Sequence, residues 1–123
     1  MVIADTDVFI AAIRCNSIAE KLLLKYKTQL AVSAITIIEL YVGATNAAKK
    51  NIVDEIVGQH NVIEVNKSIT KTTIRLVKEY NQSARQLQLA DAFIAATCIE
   101  HQASLLTFNT KDFKFIKGLK LAK

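Results

Sequence analysis

The 123-residue chain has no proline, no tryptophan, three glycines and two cysteines. So little proline and glycine excludes collagen-like, mucin-like and linker-rich architectures and favours helices joined by short turns. Two cysteines, Cys15 and Cys98, are too few for a disulfide framework, and reduced thiols in a cytoplasmic protein are the simpler expectation. Glycines at 43, 58 and 118 build neither a Walker A loop nor a G-x-G-x-x-G turn, and no G-x-S-x-G elbow is present. No apolar run approaches the roughly 20 residues that span a bilayer. Asp5 interrupts the start before an apolar signal core forms, so neither a membrane nor an export signal is expected.

What is present is a hydrophobic content of 51% with 22% charged residues, which excludes disorder. One domain over 1–123 is expected at this length. Sixteen Lys and Arg against eleven Asp and Glu leave +5, a mild bias toward an anionic partner such as nucleic acid.

Periodicity predicts a strand over Met1–Ala4, a helix to about Arg14 capped from Asp5-Thr6-Asp7, and a second helix capped at Asn16-Ser17. Gln29–Ser33 reads as a strand. The run from Ala34 to Ala44 fits helix or strand, and its length favours helix. Helices over Ala47–Gly58, Lys67 to about Arg85 and Ala90–His101 alternate with strands at Asn61–Val65 and Ser104–Phe108. Alternating strands and helices predict an α/β fold with a parallel sheet of about four to five strands, flanked by helices. In such sheets ligands bind beyond the carboxyl ends of the strands.

Several acids sit in apolar company. Asp5 ends the first strand. Glu39 lies inside Ile37-Ile38-Glu39-Leu40-Tyr41-Val42. Asp91 shares a helix face with Ile94, Ala95 and Cys98, and Asp112 follows the last clear strand. Each alone has an ordinary reading: a helix cap for Asp5 and Asp91, an ion-pair partner or an exposed stripe for Glu39, a solvated pair for Asp112. Together, they can be collected on one sheet edge. Two carboxylates about 4 Å apart repel by roughly 4 kcal/mol at an effective dielectric near 20, so such a cluster calls for protons or a cation. Oxygen-only donors suit Mg²⁺ or Mn²⁺, and a hard cation there points to a metal-dependent phosphodiesterase.

Setting aside Asp5, Asp7, Glu39, Asp91 and Asp112 leaves six of the eleven acids against sixteen bases. Lys111, Lys114, Lys117, Lys120 and Lys123 crowd the tail, where they either hold phosphates near the site or belong to a solvated tail or an edge strand. Cys98-x-x-His101 lacks the partners of a zinc site and reads as a core cysteine. A phosphoacceptor receiver domain fails because Asp54 lies within a helical pattern.

Four segments resemble the motifs of PIN-domain nucleases, in order and over nearly the whole chain. Ile3-Ala4-Asp5-Thr6-Asp7-Val8-Phe9-Ile10 is similar to the family's opening strand and turn. Ser33 to Gly43 is similar to the second acidic motif of VapC-type toxins, Ala90 to Thr97 to the third, and Leu106 to Phe113 to the fourth. The resemblance implies a PIN-like three-layer fold and a Mg²⁺-dependent endoribonuclease, with Mn²⁺ able to substitute. Its metal-activated water would cut tRNA or rRNA, leaving 3′-hydroxyl and 5′-phosphate ends. It further implies a homodimer silenced by a VapB-type antitoxin.

By position, Asp5, Glu39 and Asp91 match the metal-binding catalytic acids and Asp112 a further catalytic acid. Thr6 and Thr107 match supporting hydroxyls. Asp7 stands where many relatives carry Asn, and Asn109 where many carry Asp, which bears on a second metal. Lys111, Lys114 and Lys117 are the RNA-binding candidates, and Tyr41 falls at an antitoxin or dimer surface. The alternative is a catalytically weak or inactive PIN-fold module that binds RNA or protein, for which Asn109 is the one favouring feature.

Overall fold

The computed structural model describes residues 1–82 and 85–123. Five parallel strands stand in the order β3-β2-β1-β6-β7. They are β1 (Val2–Ala4), β2 (Leu30–Ser33), β3 (Asn61–Ile63), β6 (Ser104–Leu106) and β7 (Lys120–Leu121). Six helices connect them: α1 (Thr6–Ile13), α2 (Ser17–Lys25), α3 (Ala34–Gly43), α4 (Ala47–Gln59), α5 (Lys67–Tyr80) and α6 (Leu89–Glu100). Two-residue strands β4 (Asn81–Gln82) and β5 (Arg85–Gln86) pair antiparallel between α5 and α6.

Side chains alternate across the sheet, and both faces are apolar, as a parallel sheet covered on two sides requires. Ile3, Ala31, Ile63 and Leu105 face a core shared with Ile69 and Leu76 of α5 and Ile94 and Cys98 of α6. Val2, Ala4, Leu30, Val32 and Leu106 face the opposite core, which Val8, Phe9, Ala19, Leu40 and Val53 fill from α1 to α4. The result is the expected three-layer α/β arrangement.

Asp5, Asn16, Ser33, Asn46 and Asn66 each accept a backbone N–H at a helix start, so short polar side chains set where five helices begin. The ambiguous run at 34–43 is a helix because Ser33 caps it directly after β2.

One expectation is corrected and one open alternative is decided. The helix predicted to about Arg85 ends at Tyr80, where the chain turns into the β4–β5 pair; Ser83 and Ala84 of that prediction lie outside the described residues. The basic tail is packed: Phe113 and Ile116 are buried, and Lys120–Leu121 joins β6 as the edge strand. Cys98 is buried and His101 exposed, in keeping with a core cysteine, and burial pushes the Cys98 thiol up to about 12. No described helix is long and apolar enough to cross a membrane.

Candidate active site

The chain runs outward from β1 through β2 to β3, then returns to lay β6 on the other side of β1. Strand order therefore reverses between β1 and β6, and a crevice opens beyond their carboxyl ends. Asp5 follows β1 there and Thr107 follows β6.

Asp5 caps α1, its Oδ1 accepting the Thr6 N–H at 2.8 Å while Oδ2 accepts the Thr107 hydroxyl at 2.9 Å. The Thr107 oxygen in turn accepts the Asn109 N–H at 3.0 Å. Asp7, in the first turn of α1, accepts the Phe108 N–H at 3.0 Å through Oδ2. Its Oδ1 is buried and has no hydrogen-bond partner among the described residues. Asp5 and Asp7 thus clamp the turn after β6 onto the start of α1.

Glu39 comes from α3, three residues beyond Thr36. The Thr6 hydroxyl lies 2.6 Å from Glu39 Oε1 and 3.0 Å from the Thr36 hydroxyl. Asp91 sits in the first turn of α6, whose cap position is Gln88, so Asp91 is not the cap that its sequence position allowed. Glu39 is exposed despite its apolar neighbours in sequence, because Ile38 and Val42 beside it also face outward. Asp112 is exposed in the short 3-10 turn Thr110–Asp112.

The electrostatics join these acids into one group. Burial, and after it the charge of Asp7, push the Asp5 carboxyl up to about 7; hydrogen bonds from Thr107 and Thr6 oppose that rise, and Asp91 adds a smaller push. Burial, followed by the charges of Asp112, Glu39 and Asp7, pushes Asp91 up to about 6. Asp7 is raised as well, chiefly by burial. Partial exclusion of water raises Asp5, Asp7 and Asp91, and the negative charge of neighbouring acids adds to the rise at Asp5 and Asp91.

Such a group suits a hard divalent cation on three grounds: its donors are all oxygen, two carboxyls are displaced toward neutrality, and a buried Asp7 oxygen lacks a partner among the described residues. The cluster is a loose one: among the described residues, no three His, Cys, Asp or Glu side chains form a ready-made ligand group.

Lys111 adjoins Asp112 in the turn, whereas Lys114 and Lys117 lie further along toward β7, the latter tied through its N–H to the Tyr80 hydroxyl at 3.0 Å. Among the described residues no ion pair joins these lysines to the acids. The Tyr41 hydroxyl donates to Asp54 of α4, and its ring is partly exposed.

Three residues escape sequence reasoning. Thr36 is one; its hydroxyl looks like an ordinary helix position until α1 is laid beside α3. Arg14 and Lys49 are the others; with Glu39, Ile10 and Ile52 they line a cavity of about 250 Å³ beside the acids. Only the approach of α4 to the end of α1 brings those two cations together.

The PIN domain family profile matches residues 2–119. Ribonuclease VapC1 of Rickettsia felis is 29% identical over 97% of this chain and 92% of its own length. Ribonuclease VapC10 of Mycobacterium tuberculosis is 27% identical over 98% and 91%. Among solved structures, a toxin–antitoxin complex from Klebsiella pneumoniae is 30% identical with a TM-score of 0.83, covering 97% of this chain and 95% of that one. The Rickettsia felis VapBC2 complex, bound to a promoter DNA fragment, shares the fold at a TM-score of 0.88 and 24% identity, over 99% and 98% of the two chains. Four acidic motifs meeting at one strand-order reversal, and a family match over nearly the full length, agree: the chain belongs to the PIN-domain family.

Proposed function

We propose that the protein is a VapC-type endoribonuclease, dependent on Mg²⁺ or Mn²⁺ and held inactive by a VapB-type antitoxin. The observation that carries this reading is the group of Asp5, Asp7, Glu39, Asp91 and Asp112 at the β1–β6 crevice, where burial first and the charges of neighbouring acids second raise Asp5 and Asp91 toward neutrality.

In this reading Asp5, Glu39 and Asp91 hold the cation, with Asp112 beside them. A hard divalent cation supplies there the positive charge that acidifies water and offsets charge on a phosphodiester under attack. The protein's part is orientation. Thr107 and the Thr6 N–H fix both Asp5 oxygens, Thr6 fixes Glu39, and Asp7 holds the Phe108 turn in place. Lys111, Lys114 and Lys117 contribute phosphate attraction, and Arg14 and Lys49 present cations beside Glu39. Structured RNA, tRNA or rRNA, is the proposed substrate, cut to 3′-hydroxyl and 5′-phosphate ends.

Two surfaces support the partners. A groove of about 770 Å³ between α1, α2 and α4 is walled by Ile13, Leu23, Leu24 and Ile52 and suits an apolar antitoxin segment. Ile38 and Val42, 59% and 78% exposed on α3, give a homodimer an apolar contact face.

A second reading, a PIN-fold binding module with little or no turnover, is favoured only by Asn109, which is exposed and donates its backbone N–H to Thr107. Titration with Mn²⁺ separates the two, since a binding module needs no cation. Asp5→Asn is expected to abolish RNA cleavage while the fold is kept, and full activity in that variant refutes the proposal.

A further inference from the structure

Thr6 Oγ1 touches two side chains of α3, Glu39 Oε1 at 2.6 Å and Thr36 Oγ1 at 3.0 Å. A hydroxyl owns one proton. The contact with Glu39 Oε1 is the shorter of the two and has the length of an O–H donating to a carboxylate oxygen. Thr6 therefore donates to Glu39, and the contact with Thr36 has Thr36 as its donor. The direction of the chain is fixed: Thr36 to Thr6 to Glu39.

Thr36 is fully buried, so its hydroxyl must find a partner inside the protein. The buried helical threonines Thr73 and Thr97 find theirs on their own helices, donating to Ile69 O at 2.8 Å and Phe93 O at 2.7 Å, each four residues back. Thr36 is the third residue of α3, and four residues back from it lies Val32 in β2. Its hydroxyl crosses to α1 instead. Glu39, one helical turn onward, is exposed, and an exposed glutamate has three torsions that only such contacts hold still.

We propose, resting on the ribonuclease reading above, that Thr36 is a positioning residue. By donating to Thr6 it commits the Thr6 proton to Glu39 and holds that carboxylate in the orientation that cation binding and cleavage require, through Thr6 rather than by touching substrate.

Thr36→Val keeps the shape and removes the hydroxyl, whereas Thr36→Ser keeps the hydroxyl and removes the methyl. The expected result for Thr36→Val is Mn²⁺ binding weakened and kcat lowered, each by roughly three- to tenfold, the range set by one intramolecular hydrogen bond. KM for RNA stays within twofold of the parent, and Thr36→Ser restores both affected quantities. Crystal structures of the cation-free proteins are expected to keep the Thr6–Glu39 contact in the parent and in Thr36→Ser, and to lose or divide it in Thr36→Val. Thr36→Ala replaces the valine variant should that one fail to fold.

Parental Mn²⁺ affinity with an unbroken Thr6–Glu39 contact in Thr36→Val overturns the proposal. A serine variant no better than valine overturns it too, because residue 36 is then a packing position. A parent that neither binds Mn²⁺ nor cuts RNA refutes the ribonuclease reading instead, and the crystallographic comparison then decides the relay by itself.

Discussion

Asp5 is the residue at which folding and the proposed chemistry conflict. It is 5% exposed, two residues from Asp7 and within the field of Asp91, and its carboxyl is displaced from 3.8 to about 7. The folded state therefore keeps a proton that the unfolded state releases, so stability falls as pH rises from about 4 to about 7 and levels off above. Three pH units correspond to a penalty of up to about 4 kcal/mol above pH 7. In chelator-treated protein the melting temperature is expected to be several degrees higher at pH 5 than at pH 8. Asp5→Asn should raise the pH 8 value and leave the pH 5 value nearly unchanged; scanning calorimetry of both proteins at the two pH values checks this. An equal melting temperature for the parent at both would contradict the burial argument. Millimolar Mn²⁺ should recover the lost stability at pH 8 in the parent and not in the variant.

The acids themselves were legible in the sequence, because Asp5, Glu39 and Asp91 interrupt apolar runs where a carboxylate needs a reason. Their hydroxyl supports were legible only in part. Thr6 and Thr107 came with the motifs, but Thr36 acquires its role from a neighbour thirty residues away. For Glu39 the sequence left an ion-pair partner and an exposed stripe open, and the exposed position is the one α3 gives it, since sequence neighbours on a helix point in different directions.

Among the elements, α3 carries the most consequence, since it holds Thr36 and Glu39 and begins directly at the end of β2. Ser33, fully buried, caps it by accepting the Ile35 N–H at 3.1 Å. Ser33→Ala is expected to cost about 1 kcal/mol in urea unfolding. Helices α1 and α6 end in the same way. Cys15 and Gln102 adopt φ of 63° and 52°, and the following residues Asn16 and Ala103 donate to Ala11 O and Cys98 O. Both ends are Schellman turns that favour glycine at the left-handed position. Gln102→Gly should therefore raise stability by about 0.5–1 kcal/mol, measured by the same unfolding; a loss would show that the Gln102 side chain matters more than its backbone.

The starts of α1 and α2 were readable because Asp5 and Asn16 carry cap chemistry. The end of α5 was not: no glycine or proline stands near Tyr80, and the β4–β5 pairing that stops the helix is made with residues further along the chain. The tail was ambiguous for a related reason. Its alternation of lysines with Phe113, Phe115, Leu119 and Leu121 fits either a strand or a solvated segment until β6 is there to pair with it.

At the scale of the whole molecule, the order β3-β2-β1-β6-β7 does what no local pattern reveals: it brings a strand from each end of the chain side by side, so that Asp5 and Thr107 meet. Net charge of +5 arises while five acids are gathered at one crevice, leaving the remaining surface more basic than the total suggests. RNA binding by a non-cleaving Asp91→Asn protein is expected to weaken steeply between 50 and 200 mM salt, as phosphate contacts do. Adding Lys111→Ala should reduce both affinity and the salt slope, as read by fluorescence anisotropy; an unchanged slope would remove Lys111 from the RNA path.

The central claim, that the acidic crevice cuts RNA with the help of a divalent cation, is tested most directly by incubating partner-free protein with total RNA. Reactions run with Mg²⁺, with Mn²⁺ and with excess chelator, beside Asp91→Asn. The account predicts discrete fragments that require the cation and disappear in the variant. Intact RNA under every condition with folded protein, or the same fragments from Asp91→Asn, would contradict it.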